Sequence, residues 1–187
     1  MNRWEEHIRP AVTVDNVILA KKDGCYVLLL IKRRNEPFAS HWALPGGFIL
    51  EQEPPVAAAK RKLNSEANLY DIPLIPIGVF GDTNRDPRGW FISIAFFSLV
   101  DRDIVNACAG DDAAEAIWFD LCWKKENGFV YLSLTHDKEI LHSVLREKSE
   151  TTDYGIRREF EIIDNKDLAF DHAKIIATAV SKLECKN

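Results

Sequence analysis

The chain has 187 residues, 47% of them hydrophobic and 28% charged, with a formal net charge of −5. That composition belongs to a soluble, core-forming protein; no apolar run reaches the roughly 20 residues a membrane helix needs, and the acidic balance argues against a general nucleic-acid surface. Cys25, Cys108, Cys122 and Cys185 are scattered without CxxC spacing, which speaks against a zinc site or disulfide framework and for free thiols in a reducing, cytoplasmic setting.

The N-terminal MNRWEEHIRP lacks the apolar centre of a secretion signal. Apolar stretches then predict strands over about 10–20 and 25–33 and a short strand over 42–47. A helix is predicted over 54–67. Pro54 and Pro55 suit a first helical turn, where missing amide hydrogens cost nothing. Val56, Ala59, Leu63 and Ala67 fall on one stripe, and Asn68 suits a left-handed C-terminal cap. Positions 62, 65 and 66 are spaced i, i+3, i+4 and share another face.

Strands follow near 74–82, 90–100 and 114–119. Between the first two lies Arg85-Asp86-Pro87-Arg88-Gly89, a turn carrying two guanidinium groups suited to bidentate phosphate contacts. The competing expectation is that Arg85 pairs with Asp82 or Asp86 to fix the turn. An insertion over 124–165 contains two alternating segments, Phe129–Thr135 and Arg157–Ile163, which read as strands of a small added sheet. Glu139–Lys148 is ambiguous: Ile140, Leu141, Val144 and Leu145 fit a helix better than a strand. A helix over 169–184 closes the chain, with His172 beside Asp171 at its start. The pattern alone gives an α/β or α+β class in one domain spanning 1–187.

The segment Leu44–Leu69 resembles a Nudix box, whose pattern is G-x5-E-x7-R-E-U-x-E-E-x-G-U with U bulky and apolar. Gly47, Glu53, Arg61 and Glu66 fit that frame without a gap; Lys62, Ser65 and Asn68 stand where the pattern has Glu, Glu and Gly. The likeness to the ADP-ribose pyrophosphatase-like group extends over roughly 9–122 and 167–184. It runs through Arg9–Asp15, Val27–Arg33, the lead-in His41–Phe48, Gly81–Gly89, Asp111–Phe119 and Leu168–His172. The resemblance implies an α/β/α sandwich with a mixed central sheet and a small inserted β element. It also implies a homodimer and a nucleoside diphosphate derivative such as ADP-ribose as ligand, while the short apolar runs speak against a membrane partner. Related regulators of NAD metabolism add a DNA-binding winged helix; the last predicted helix is followed closely by Asn187, so none is expected.

In this family Glu53 and Arg61 pair to hold the loop against the helix, and with Glu66 they are the catalytic-motif residues retained. The metal face is depleted. Lys62, Ser65 and Glu66 sum to zero formal charge, against −3 for three glutamates. At ~4 Å and an effective dielectric near 20, each unit of charge is worth roughly 4 kcal/mol before solvent competition. Mg²⁺, or Mn²⁺ in its place, is therefore expected to be weakly held or absent, with Glu66, Glu51 and Asp111 as candidate ligands. Arg33, Gly46, Gly47, Phe48, Lys62, Arg85 and Arg88 are the candidate ligand-binding residues, Lys62 standing in for metal charge. Three functions compete. The first is an ADP-ribose-like binding protein with weak or lost hydrolysis. The second is an active Mg²⁺-dependent pyrophosphohydrolase drawing on carboxylates outside the box. The third is a non-catalytic interaction module using the inserted strands.

Overall fold

The computed structural model describes residues 7–101, 113–153 and 155–184. The strands are β1 (Ala11–Lys22), β2 (Cys25–Arg33), β3 (Trp42–Ala43), β4 (Gly46–Phe48), β5 (Ile75–Phe80), β6 (Phe91–Asp101), β7 (Ala113–Glu126), β8 (Phe129–His136), β9 (Glu139–Thr152) and β10 (Gly155–Asn165). The helices are α1 (Pro55–Ala67) and α2 (His172–Glu184). The strands form one mixed sheet in the order β10-β9-β8-β7-β2-β1-β6-β5, with β3 paired to β2 and β4 to β1. The β1–β6 pair is parallel and its neighbours are antiparallel.

Positions 13–20 of β1 are all buried, because helices cover both faces of the central strands. Side chains alternate across the sheet. Val17 and Leu19 join the core beneath α2, with Ile175, Ile176 and Val180, whereas Ile18 and Ala20 pack toward Leu63 of α1. The α/β/α layering that the resemblance implies is thus present. Burial of Leu63, which is fully enclosed, is worth about 1.5–3 kcal/mol.

Several boundaries differ from the sequence reading. Glu139–Lys148 lies in a strand, β9, because Leu141, Ser143 and Leu145 alternate inward while Ile140 and His142 face out. The inserted strands are not a separate small sheet. They extend the main sheet from β7, and Val130, Leu132, Leu134, Leu145 and Phe160 share the α2 core. The 114–119 strand runs on to Glu126 to pair with β8. The short 42–47 strand is two, split where β3 leaves β2 and β4 joins β1. On α1, Val56 is exposed and Ala58 is buried with Ala59, Leu63, Glu66 and Ala67. Asn68 caps that helix in the left-handed region at φ 57°, its N–H reaching the Asn64 carbonyl. Helix α2 begins at His172, three residues later than predicted, because Phe170 adopts φ 53°.

Candidate functional site

The loop between β3 and β4 forms one wall of a cleft. Gly46 passes so close to β1 that a Cβ there would lie 2.2 Å from the Val14 carbonyl and 2.6 Å from Asp15 Oδ1. Only glycine tolerates that approach. Asn16 holds the preceding turn: its backbone N–H and its Nδ2 both donate to the Pro45 carbonyl, and Nδ2 also reaches the Ala59 carbonyl of α1. Gly46 N–H donates to Glu66 Oε2 at 2.9 Å, and Leu44 N–H donates to His172 Nδ1 at 2.9 Å. Gly47 has φ 152°, and a Cβ there would meet Lys62 Cε at 2.6 Å.

The box helix shows two different ion pairs. Arg61 grips Glu53 through Nε and an NH2 group, both at 2.7 Å, and also reaches the Phe48 carbonyl. Glu53 in turn accepts Leu50 N–H. The Arg61 hydrogen bonds, then the Leu50 amide, lower the Glu53 pKa to about 2. This is the expected brace of loop against helix. At the next residue, Lys62 Nζ lies 3.1 Å from Oε1 of Glu66 one turn on, with side chains only 16% and 6% exposed. Ser65 Oγ donates back to the Lys62 carbonyl at 3.4 Å.

That donor set does not fit a metal cluster. Glu66 is the single carboxylate on the face; one oxygen receives an ammonium and the other a backbone amide. Among the described residues no group of three or more His, Cys, Asp or Glu side chains is placed to hold a metal ion. Glu51 is exposed in the loop before α1 and does not line the cleft. Asp111 lies outside the described residues.

The cleft has a volume of about 470 Å³. Lys62, Glu66, Gly46, Gly47 and Phe48 line it together with Arg33, Arg34, Glu36, Arg85, Asp86 and Arg88. Five cationic against four acidic side chains, counting Asp15, leave it slightly basic. The arginines are held differently from one another. Arg33 donates to the Pro37 and Asn35 carbonyls and lies over the Phe170 ring. Arg88 pairs with Asp86 and sits over the rings of Phe48, Phe91 and Phe170, with its side chain 37% exposed. Arg85 is buried. It pairs with neither Asp82 nor Asp86 through its side chain but bidentately with Asp171, at 3.0 and 2.7 Å, and lies 3.6 Å from Asp15.

Asp15 and His172 line the floor, and the sequence reading assigns neither to the site. Burial opposes ionisation of Asp15, but His172, the Ser93 hydroxyl and Arg85 prevail and hold its carboxyl below the ordinary range. Burial likewise works against Asp86, and hydrogen bonds from Arg88 outweigh it. One signal for Asp15 is present in the sequence: a lone carboxylate inside the apolar run of a central strand.

The NUDIX domain family model matches residues 9–127. The chain belongs to the Nudix family. It is 38% identical over 149 residues to a protein named ADP-ribose pyrophosphatase from Methanocaldococcus jannaschii, covering 80% of this chain and 81% of that one. It is 40% identical over 94 residues to the ADPR responsive transcriptional repressor NtrR of Acinetobacter baylyi, covering 49% of this chain and 38% of the repressor. Among solved structures, a MutT/nudix family protein from Enterococcus faecalis superposes with a TM-score of 0.76 at 27% identity, over 95% of this chain and 63% of that one. The chain is therefore a Nudix protein similar to ADP-ribose pyrophosphatases, and it spans well under half of the repressor. Nudix hydrolases as a group use divalent metals; on the box helix of this chain, positions 62 and 65 are Lys62 and Ser65. No helix among the described residues is long and apolar enough to cross a membrane.

Proposed function

We propose that this Nudix chain binds an ADP-ribose-like nucleoside diphosphate derivative in the 470 Å³ cleft, with metal-dependent pyrophosphate hydrolysis weak or lost. The observation that carries the reading is the Lys62–Glu66 pair, 3.1 Å apart and facing the cleft beneath Gly47. Its ammonium lies where the family pattern has a metal-holding glutamate. A lysine ammonium has several N–H donors, so it can serve phosphate oxygens while it bonds Glu66. Arg88 and Arg33, placed over aromatic rings in the same cleft, supply further positive charge. The names of the two relatives, a pyrophosphatase and an ADPR responsive repressor, support the ligand class. A homodimer in the cytoplasm is part of the same reading.

Calorimetry with ADP-ribose, with and without millimolar Mg²⁺, tests it. Binding should persist in EDTA and change little when Mg²⁺ is added. Binding that requires the metal would overturn the assignment of Lys62. A second reading, an active pyrophosphohydrolase, is favoured by the 38% identity to a named pyrophosphatase over most of the chain. Brisk Mg²⁺-dependent release of AMP by the unmutated protein would establish it and would mean that carboxylates outside the box hold the metal.

A further inference from the structure

Leu44–Gly47 runs between the two helical layers, and each layer holds it with one side chain. From α1, Glu66 accepts the Gly46 amide; from α2, His172 accepts the Leu44 amide. His172 is 4% exposed. Its Nδ1 lone pair is committed to Leu44 N–H, so the ring proton of the neutral imidazole sits on Nε2. Nε2 faces Asp15 Oδ1 at 3.4 Å. Asp15 is fixed in turn by the Ser93 hydroxyl, and its backbone is the register partner of Gly46. With both ring nitrogens turned to protein partners, His172 has no lone pair to take a proton from a ligand. That excludes a general-base role although the ring lines the cleft.

We propose that His172 is a positioning residue of the ligand cleft: its Nδ1 sets where Leu44–Gly47 lies relative to the Asp15 floor. The consequence for the site is direct, because Gly47 has no room above Lys62 for even a Cβ. A loop that lifts at Leu44 moves Gly46 off Glu66 and lets Lys62 shift. The proposal rests on the reading that this cleft binds a nucleoside diphosphate derivative, but its structural part can be tested without any ligand.

The test compares the wild type with His172→Ala and His172→Asn, since the Asn side-chain oxygen falls near the Nδ1 position. Three measurements are made: for each protein, the affinity for ADP-ribose and hydrogen exchange at the Leu44 amide, and, for the wild type, long-range ¹H–¹⁵N spectra of the imidazole. His172→Ala should weaken ADP-ribose binding about tenfold, the scale of one buried hydrogen bond, and speed Leu44 exchange by a similar factor. His172→Asn should restore both toward wild type, and the wild-type ring should carry its proton on Nε2. Unchanged Leu44 protection in the Ala variant, an Asn variant no better than Ala, or a wild-type proton on Nδ1 would each overturn the proposal. Should the Ala variant not fold, His172→Gln, whose amide extends toward the Nε2 position, serves as the variant without an acceptor for Leu44. If the wild type does not bind ADP-ribose at all, the ligand reading fails by itself, and exchange and tautomer still decide the role of His172.

Discussion

The two helical layers hold charge in different ways. Around α1 the ion pairs are local: Glu53 with Arg61, and Lys62 with Glu66 one helical turn apart. One lies at the rim and braces a loop, and the other faces the cleft. Around α2 the pairing is distant: Lys174 reaches an exposed Asp82, and the central network is buried. Arg85 and Asp171 meet across 86 positions of sequence, with side chains 4% and 10% exposed, and Asp15 and His172 join them. The comparison separates two jobs. On the proposed reading, the Lys62–Glu66 pair sets what the cleft offers a ligand, and the α2 network sets the shape of the cleft.

The separation is broken most severely at Arg85. Arg85→Ala would strand Asp171 and Asp15 as buried carboxylates without their guanidinium partner. Removing one member of such a pair costs about 3–5 kcal/mol, measurable by urea unfolding. A loss under about 1 kcal/mol, the size of an exposed pair, would show that this network does not support the fold. Next comes Gly46→Ala, at the seam between the layers, where the added methyl meets backbone oxygen. The expected cost is about 1–3 kcal/mol, together with loss of ADP-ribose binding by calorimetry.

Lys62→Glu with Ser65→Glu should disturb stability less, because both positions are only partly buried and the brace and glycines stay intact. Its effect should appear in chemistry, as Mg²⁺-dependent AMP release from ADP-ribose that EDTA abolishes. A small gain is sufficient, since positioning of the attacking water depends on surrounding groups. A folded double variant that binds ADP-ribose and Mg²⁺ yet shows no turnover would place the missing function outside the box. The smallest effect concerns acid. The folded pKa of Glu53, about 2, lies below its ordinary 4.5. The brace therefore contributes fully at neutral pH and is lost as pH falls from about 4.5 through 2. Arg61→Met should flatten that part of a thermal-stability profile, and an unchanged profile would show that the brace is inert.

Much of the α1 side is legible in the sequence because its determinants are close together. Pro54, Pro55 and Asn68 mark the helix ends, the 62/66 spacing places its partners on neighbouring turns, and the box pattern pairs Glu53 of the entering loop with Arg61. The α2 side is not, because nothing in the local pattern connects Arg85 to Asp171. The local pattern leaves Arg85 between phosphate and a turn aspartate, whereas its side chain folds inward to Asp171 at the threshold of α2. Val56 misleads for a related reason: it has the right spacing, but the helix turns Ala58 toward Val14 and Phe96 instead. In the inserted strands, Ile140 and Leu141 are adjacent and both apolar, which imitates a helix. Pairing with β8 sends them to opposite faces.

The continuation of the sheet through β8, β9 and β10 constrains how this protein can be altered. Leu132, Leu145 and Phe160 pack in the same apolar cluster as Ile176 and Val180, and Trp42, two residues before the cleft loop, donates its indole N–H to Glu139 of β9. Excising 127–165 to recover a minimal scaffold would unroof the second helix and, with it, the residues that seat the loop. An apparent decoration has become part of the foundations. Sequence drift there should be limited by volume and alternation, as in a hydrophobic core, and loop swaps in this region should fail unless the inward-facing residues are carried across.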